Sequence, residues 1–104
     1  MKDLDINTIN LVGVVIQHPR DSGDRGESSI VEFRIKNISS EGGKAHENIF
    51  DCKCYGKVAE HAMANVREGD RVAVVGRARI LPKRVGPYFE LVLNLVQILG
   101  RAAA

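Results

Sequence analysis

The chain of 104 residues contains no tryptophan, only two cysteines and three prolines, and aromatic residues make up 5% of it. Two cysteines cannot staple a small scaffold. Cys52 and Cys54 lie one residue apart, a spacing that puts both side chains on one side of a strand and disfavours a bond between them. A structural zinc site needs four ligands at recognisable spacings. Joining His46 or His61 to this pair does not make one, so both cysteines are expected in the core and no metal is expected. No apolar run reaches the roughly 18 residues of a membrane span. The opening Met1–Asp5 carries acids where a signal peptide carries bases and an apolar stretch, which implies a cytoplasmic protein without a membrane partner. Nucleophile elbows, phosphate-cradling glycine loops and dinucleotide fingerprints are missing too, so neither catalysis nor a cofactor is expected.

Against these absences stands an ordinary globular composition, 44% hydrophobic and 27% charged, with room for one modest core. The net charge of +2 hides an asymmetry. Residues 1–32 hold three Lys/Arg against six Asp/Glu, whereas residues 51–84 hold eight against four. A basic half on a small domain suits a polyanion partner.

The hydrophobic pattern reads as strands with one short helix. Residues 9–17 are β-branched and nearly continuous, with Gly13 marking a bulge or bend and His18-Pro19-Arg20 ending the strand. Residues 20–29 are polar and read as a loop. In 30–38, Val31, Phe33 and Ile35 alternate with Glu32, Arg34 and Lys36. A second loop is expected at 39–46 with Gly42-Gly43 at its tip. In 47–55, Phe50, Cys52 and Cys54 share one face and Asp51, Lys53 and Tyr55 the other.

Residues 57–66 carry the one helical stripe, Val58, Ala59, Ala62, Met63 and Val66, with Met63 as core filling and Gly69 as the stop. A fourth strand at 70–80 turns Val72, Val74, Ala78 and Ile80 inward and Arg71, Arg77 and Arg79 outward. The basic connection 82–87 leads to a last strand at 88–99, apolar on both faces through Val92 and Val96. That suits barrel closure or a subunit interface. The fold class is therefore all-β with one short helix between the third and fourth strands. This is the order of a five-stranded OB-fold barrel.

Particular residues point further. Tyr55-Gly56-Lys57-Val58-Ala59-Glu60, then Arg67-Glu68-Gly69-Asp70-Arg71-Val72 and Val74-Val75-Gly76-Arg77, resemble the bacterial single-stranded-DNA-binding family. That family carries an aromatic-Gly-Lys-Leu-Ala-Glu run between its third strand and its helix. Asn10, Gly13, Pro19, Phe33 and Gln97-Ile98-Leu99-Gly100 support the likeness, which runs from about residue 9 to residue 100. It implies one OB-fold domain over 1–104 with a core at 9–100; by composition alone, the closing 101–104 with its three alanines reads as a tail or cloning remnant. The resemblance also implies a non-catalytic homo-oligomer, tetramer or dimer, that coats single-stranded DNA in the nucleoid and works beside replication or repair proteins.

The departures bear on how tightly such a face holds its ligand. The family's tryptophan positions fall on Glu41 or a neighbour, on Ile49, and on a hairpin shortened around Lys83-Arg84. Tyr55 keeps an aromatic, and Tyr88 is a second candidate. The acidic C-terminal tail of the family is missing as well. The expected binding set is Arg34, Lys36, Lys53, Tyr55, Arg77, Arg79, Lys83, Arg84 and Tyr88: cations for phosphates and two rings for bases. Two competing readings remain open at this point. One is a primosomal replication-restart protein, a dimeric OB fold similarly poor in stacking rings; the other is an OB scaffold that binds only proteins.

Overall fold

The computed structural model describes residues 4–22, 29–81 and 88–102. Five strands, β1 (Ile9–Asp21), β2 (Ile30–Glu41), β3 (Lys44–Tyr55), β4 (Arg71–Leu81) and β5 (Tyr88–Gly100), form a closed barrel in the order β1-β2-β3-β5-β4. Helix α1 (Gly56–Asn65) lies between β3 and β4. All strand pairs are antiparallel except β3 with β5, which run parallel. This is the OB fold expected from the strand order.

The interior follows from alternation. Val31, Phe33 and Ile35 of β2 and Cys52 and Cys54 of β3 are buried, with Val15, Val72, Val74, Leu91 and Leu93 completing the barrel core. Helix α1 closes the barrel with its smallest side chains, Ala59 and Ala62, both fully buried, and with Val66 just beyond its end. Its first N–H, from Gly56, donates to the Ser29 carbonyl at 3.0 Å, which ties the helix start to the base of β2.

Several boundaries differ from the sequence pattern, each for a local reason. β1 does not end at His18 but runs to Asp21, bending through register shifts between Val15 and Arg20, with Pro19 buried within them. A proline inside a strand is tolerated at such irregularities, where no ladder donor is needed. The bulge is therefore not at Gly13. That residue instead lets the Lys36 carbonyl approach where a Cβ would lie at 2.6 Å. The second loop shrinks to a two-residue turn. Gly42 and Gly43 both have positive φ, and the polar residues beside them are strand, paired out to Glu41 with Lys44.

In α1, Met63 is 44% exposed and is not core filling. The helix ends at Asn65, capped by the Val66 N–H on the Ala62 carbonyl, before Gly69, which sits in the following turn. Ile80, expected inward, is 65% exposed near the end of β4, past the closed part of the barrel. β5 is apolar on both faces because its register against β4 slips beside Val75/Gly76, leaving Asn94 without a partner. Leu91 and Leu93 face inward before the slip and Val96 and Ile98 after it, while Val92 takes the opposite face.

The turn before β4 holds a buried acid. Asp70 is 0% exposed, and its carboxylate accepts the N–H groups of Arg67 (2.9 Å) and Ala102 (3.0 Å) and a guanidinium N–H of Arg101 (3.1 Å). Burial opposes its ionisation, but the two backbone donors and the guanidinium outweigh that and hold the carboxyl below its ordinary range. Arg101 and Ala102 are thereby fastened to the turn.

Candidate nucleic-acid interface

The outward residues of β2, β3, β5 and β4 form one continuous surface. Across β2 and β3, Glu32 faces Lys53, Arg34 faces Asp51 and Ile30 faces Tyr55. Lys53 then neighbours Val92 on β5, and β5 brings Arg77, Arg79 and Leu81 opposite Val92, Glu90 and Tyr88. The sheet thus brings together Arg34, Lys53, Tyr55, Arg77, Arg79 and Tyr88 from four strands. Lys36 lies further out on the β2–β3 hairpin, 3.7 Å from Glu47. Lys83 and Arg84 lie outside the described residues.

Two arginine–carboxylate–tyrosine groups organise this surface. Arg79 donates to Glu90 through Nε (3.1 Å) and Nη2 (2.6 Å), and Nη2 also donates to the Tyr55 hydroxyl at 2.9 Å. Its guanidinium carbon lies 6.0 Å from the Tyr55 ring centroid, within cation–π range. Arg34 Nε donates to Asp51 Oδ1 at 2.6 Å, and the Tyr88 hydroxyl donates to Asp51 Oδ2 at 2.9 Å. These bonds, first to Asp51 and first to Glu90 respectively, raise the pKa values of Arg34 and Arg79 and keep both fully charged. Burial, with the hydrogen bond to Asp51, pushes the Tyr88 phenol up to about 12. A recess of about 100 Å³ is lined by Arg20, Glu32, Arg34, Asp51, Tyr88 and Glu90 among others, so both groups border one space.

The two rings differ in what they offer. Tyr55 is 38% exposed with Arg79 over its ring, whereas Tyr88 is half-buried with its hydroxyl committed. Arg77 is exposed and has no carboxylate partner among the described residues.

Sequence reasoning missed the acids. Glu32 bridges Arg20 (3.6 Å) and Lys53 (3.5 Å), and Glu90 is buried to 3%. Arg20 itself arrives only because β1 runs past its expected end. Also missed was Ile38 (58% exposed); Phe89 (42%), opposite Ile80 and packed on Phe50 with ring centroids 6.2 Å apart, lies on the other side of β5 from Tyr88 and Glu90. The alternation of β2 did contain a signal for Ile38, since it continues the outward set of Glu32, Arg34 and Lys36. Ile49, placed where the family carries a tryptophan, is 50% exposed on this same surface. A larger groove of about 580 Å³ lies elsewhere, between α1 and the end of β5, over Val58, Leu95 and Ile98.

A closed barrel of this topology with rings and guanidinium groups on an outer sheet face belongs to the oligonucleotide- and oligosaccharide-binding class. The chain matches the Single-strand binding protein family over residues 6–83, and it belongs to that family. Among solved structures it is similar to the SSB domain of a Synechococcus sp. protein, at 20% identity and a TM-score of 0.73, covering 92% of this chain and 99% of that one. At that identity the likeness speaks for the fold. No curated protein matches the chain by sequence. Family membership supports single-stranded DNA as the ligand and a non-catalytic role. No helix among the described residues is long and apolar enough to cross a membrane.

Proposed function

We propose that this chain, a single OB-fold domain over residues 1–104, binds single-stranded DNA without sequence preference and without catalysis in replication, recombination or repair. The observation that carries the reading is the Tyr55–Arg79 group, an exposed ring braced by a guanidinium on an outer sheet face. Lys53 and Arg77 lie on the same face. A flexible single strand offers phosphates and unstacked bases, and a face with spaced cations and a flat ring answers both. Arg34, Lys36, Lys53, Arg77 and Arg79 serve phosphates, Tyr55 and Tyr88 serve bases, and Lys83 and Arg84 extend the set. The site of action is the cytoplasm, at the nucleoid, beside replication or repair proteins.

The functional unit is a homo-oligomer, dimer or tetramer. In support, Val75 and Leu95 (53% exposed) are cross-strand partners on β4 and β5, and Val12 (40%) lies diagonally from Val75 on β1, opposite Ala73. The replication-restart reading draws on one feature, the single exposed ring at Tyr55 where tryptophans would give several platforms. It predicts binding dominated by charge.

An anisotropy titration of labelled oligo(dT) and of duplex of equal length, at several salt concentrations, tests the proposal. The expected result is preferential binding of the single strand with a moderate salt slope. Equal, steeply salt-dependent binding of both forms supports the charge-dominated reading instead. Absence of binding to either form leaves a protein-interaction domain.

A further inference from the structure

We propose that Asp51 and Glu90 are specificity-determining residues of this face: resident anions that occupy Arg34 and Arg79 in the free protein and make a bare phosphate backbone a poor ligand. The inference rests on the single-strand reading and identifies what keeps duplex DNA off the same surface.

The carboxylates are built in. Asp51 uses both oxygens, one for Arg34 at 2.6 Å and one for the Tyr88 hydroxyl at 2.9 Å. Glu90 accepts two N–H groups of Arg79 on one oxygen and is 3% exposed, so it cannot swing away to admit an incoming anion. Packing does not demand a carboxylate there. Val92, the next outward residue of β5, is equally buried and apolar.

The consequence is a face rich in cations and short of free ones. Arg34 and Arg79 are held by Asp51 and Glu90, while Arg20 and Lys53 share Glu32. Of the five cations gathered there, Arg77 alone lacks a carboxylate among the described residues. A phosphate approaching Arg34 or Arg79 meets a fixed negative charge within a few ångströms. An arginine already balanced by a protein carboxylate neutralises less of a phosphate, so fewer of the cations condensed on the nucleic acid are released.

Duplex DNA presents only its backbone to a sheet face and bears the whole of that penalty. A single strand also brings bases, which stack on the Tyr55 ring and on exposed apolar side chains such as Ile49, and this offsets the loss. The acids therefore lower affinity for every polyanion but lower it least for the unpaired strand. Discrimination by disfavouring the wrong ligand is as effective as extra attraction for the right one.

The test uses the full chain with Asp51→Asn and Glu90→Gln, each confirmed as folded by its thermal transition. Each relieves a different arginine, so either one decides the matter if the other does not fold. Labelled oligo(dT), duplex of equal length and inorganic polyphosphate are titrated at several salt concentrations. The expected result is a gain of about fivefold or more for duplex and polyphosphate and a smaller gain for oligo(dT). The salt slope for duplex should steepen by roughly 0.9, one additional phosphate neutralised. A folded variant whose duplex affinity and slope equal those of the unmodified protein overturns the proposal. So does weaker binding of every ligand, which would make the acids positioning groups for the arginines. Failure of the single-strand reading itself shows separately, as unmodified protein that does not bind oligo(dT).

Discussion

Replacing Gly76 with alanine should meet the tightest backbone contact of any glycine among the described residues. A Cβ built at Gly76 lies 2.2 Å from the Val92 carbonyl oxygen and 2.9 Å from both the Val92 carbonyl carbon and Leu93 Cα. Real Cβ atoms essentially never come closer than about 3.0 Å to another heavy atom. β4 and β5 must therefore separate by most of an ångström, and nothing there yields easily because every atom in the way is backbone. β4 is also fixed on its other side, where Ile9 of β1 pairs with Gly76, so the strain cannot relax outward. Overpacking in a closed core costs about 1–3 kcal/mol and occasionally more, and a backbone clash held on both sides belongs at the upper end, about 3 kcal/mol. For a domain of this size that corresponds to a fall in Tm of roughly 12–24 °C.

The assay is thermal unfolding followed by far-UV circular dichroism, with Gly100→Ala as the control. Gly100 has no neighbour within 4 Å of a built Cβ and no positive φ, so alanine there should leave Tm within a few degrees. A Gly76→Ala protein that melts within about 4 °C of the unmodified chain refutes the reasoning. Its side effect is functional, because Arg77 is the next residue and would be displaced on the outer face.

Other consequences are equally direct. Asp70→Asn should destabilise by about 1–3 kcal/mol, since an amide supplies one acceptor where three donors converge. Because the folded carboxyl sits below its ordinary value, its contribution is complete above about pH 4 and is lost as pH falls through the folded pKa. The Tm gap between the two proteins should thus be constant near neutrality and narrow in acid, and a gap that stays constant down to pH 2 would count against the latch. Cys52 and Cys54 are buried with thiol pKa values pushed up, that of Cys54 to about 12, by desolvation. Neither should react with a disulfide reagent at pH 8 until the chain is unfolded, and rapid labelling of native protein would contradict the packing. Tyr55→Ala should weaken oligo(dT) binding about tenfold, a stacking loss of about 1.4 kcal/mol, while Tyr55→Phe keeps the ring and most of the affinity. Equal losses in the two variants would assign the hydroxyl's bond to Arg79, not the ring, as the source of affinity.

Much of the fold was legible because it depends on local alternation. Val31, Phe33 and Ile35 against Glu32, Arg34 and Lys36 set the faces of β2, and Phe50, Cys52 and Cys54 set those of β3. The helix stripe placed α1 between β3 and β4. Strand ends were less legible, since Ser39–Glu41, Lys44 and His46 are polar residues that are strand only because the Gly42-Gly43 turn pairs them. Met63 and Ile80 kept an apolar identity at places where the barrel has no neighbour to cover them.

In the candidate site, the cations and Tyr55 could be read from outward positions. Their carboxylate partners could not, because Arg34 with Asp51 and Arg79 with Glu90 meet only through cross-strand register. Nothing in the sequence pattern marked Asp70 as buried. Its burial depends on Arg101 and Ala102, 31 and 32 residues away in the chain.

The central claim is that the outer surface of β2, β3, β5 and β4 is where the single strand lies. Amide and side-chain NMR shifts of the labelled protein, recorded as oligo(dT) is added, test it most directly. Perturbations should concentrate on Lys53, Tyr55, Arg77, Arg79 and Tyr88, with Val12, Ala73, Leu95 and Gln97 unaffected. Shifts gathered instead on that second group, with the Tyr55 and Arg79 signals unmoved at saturation, would contradict it.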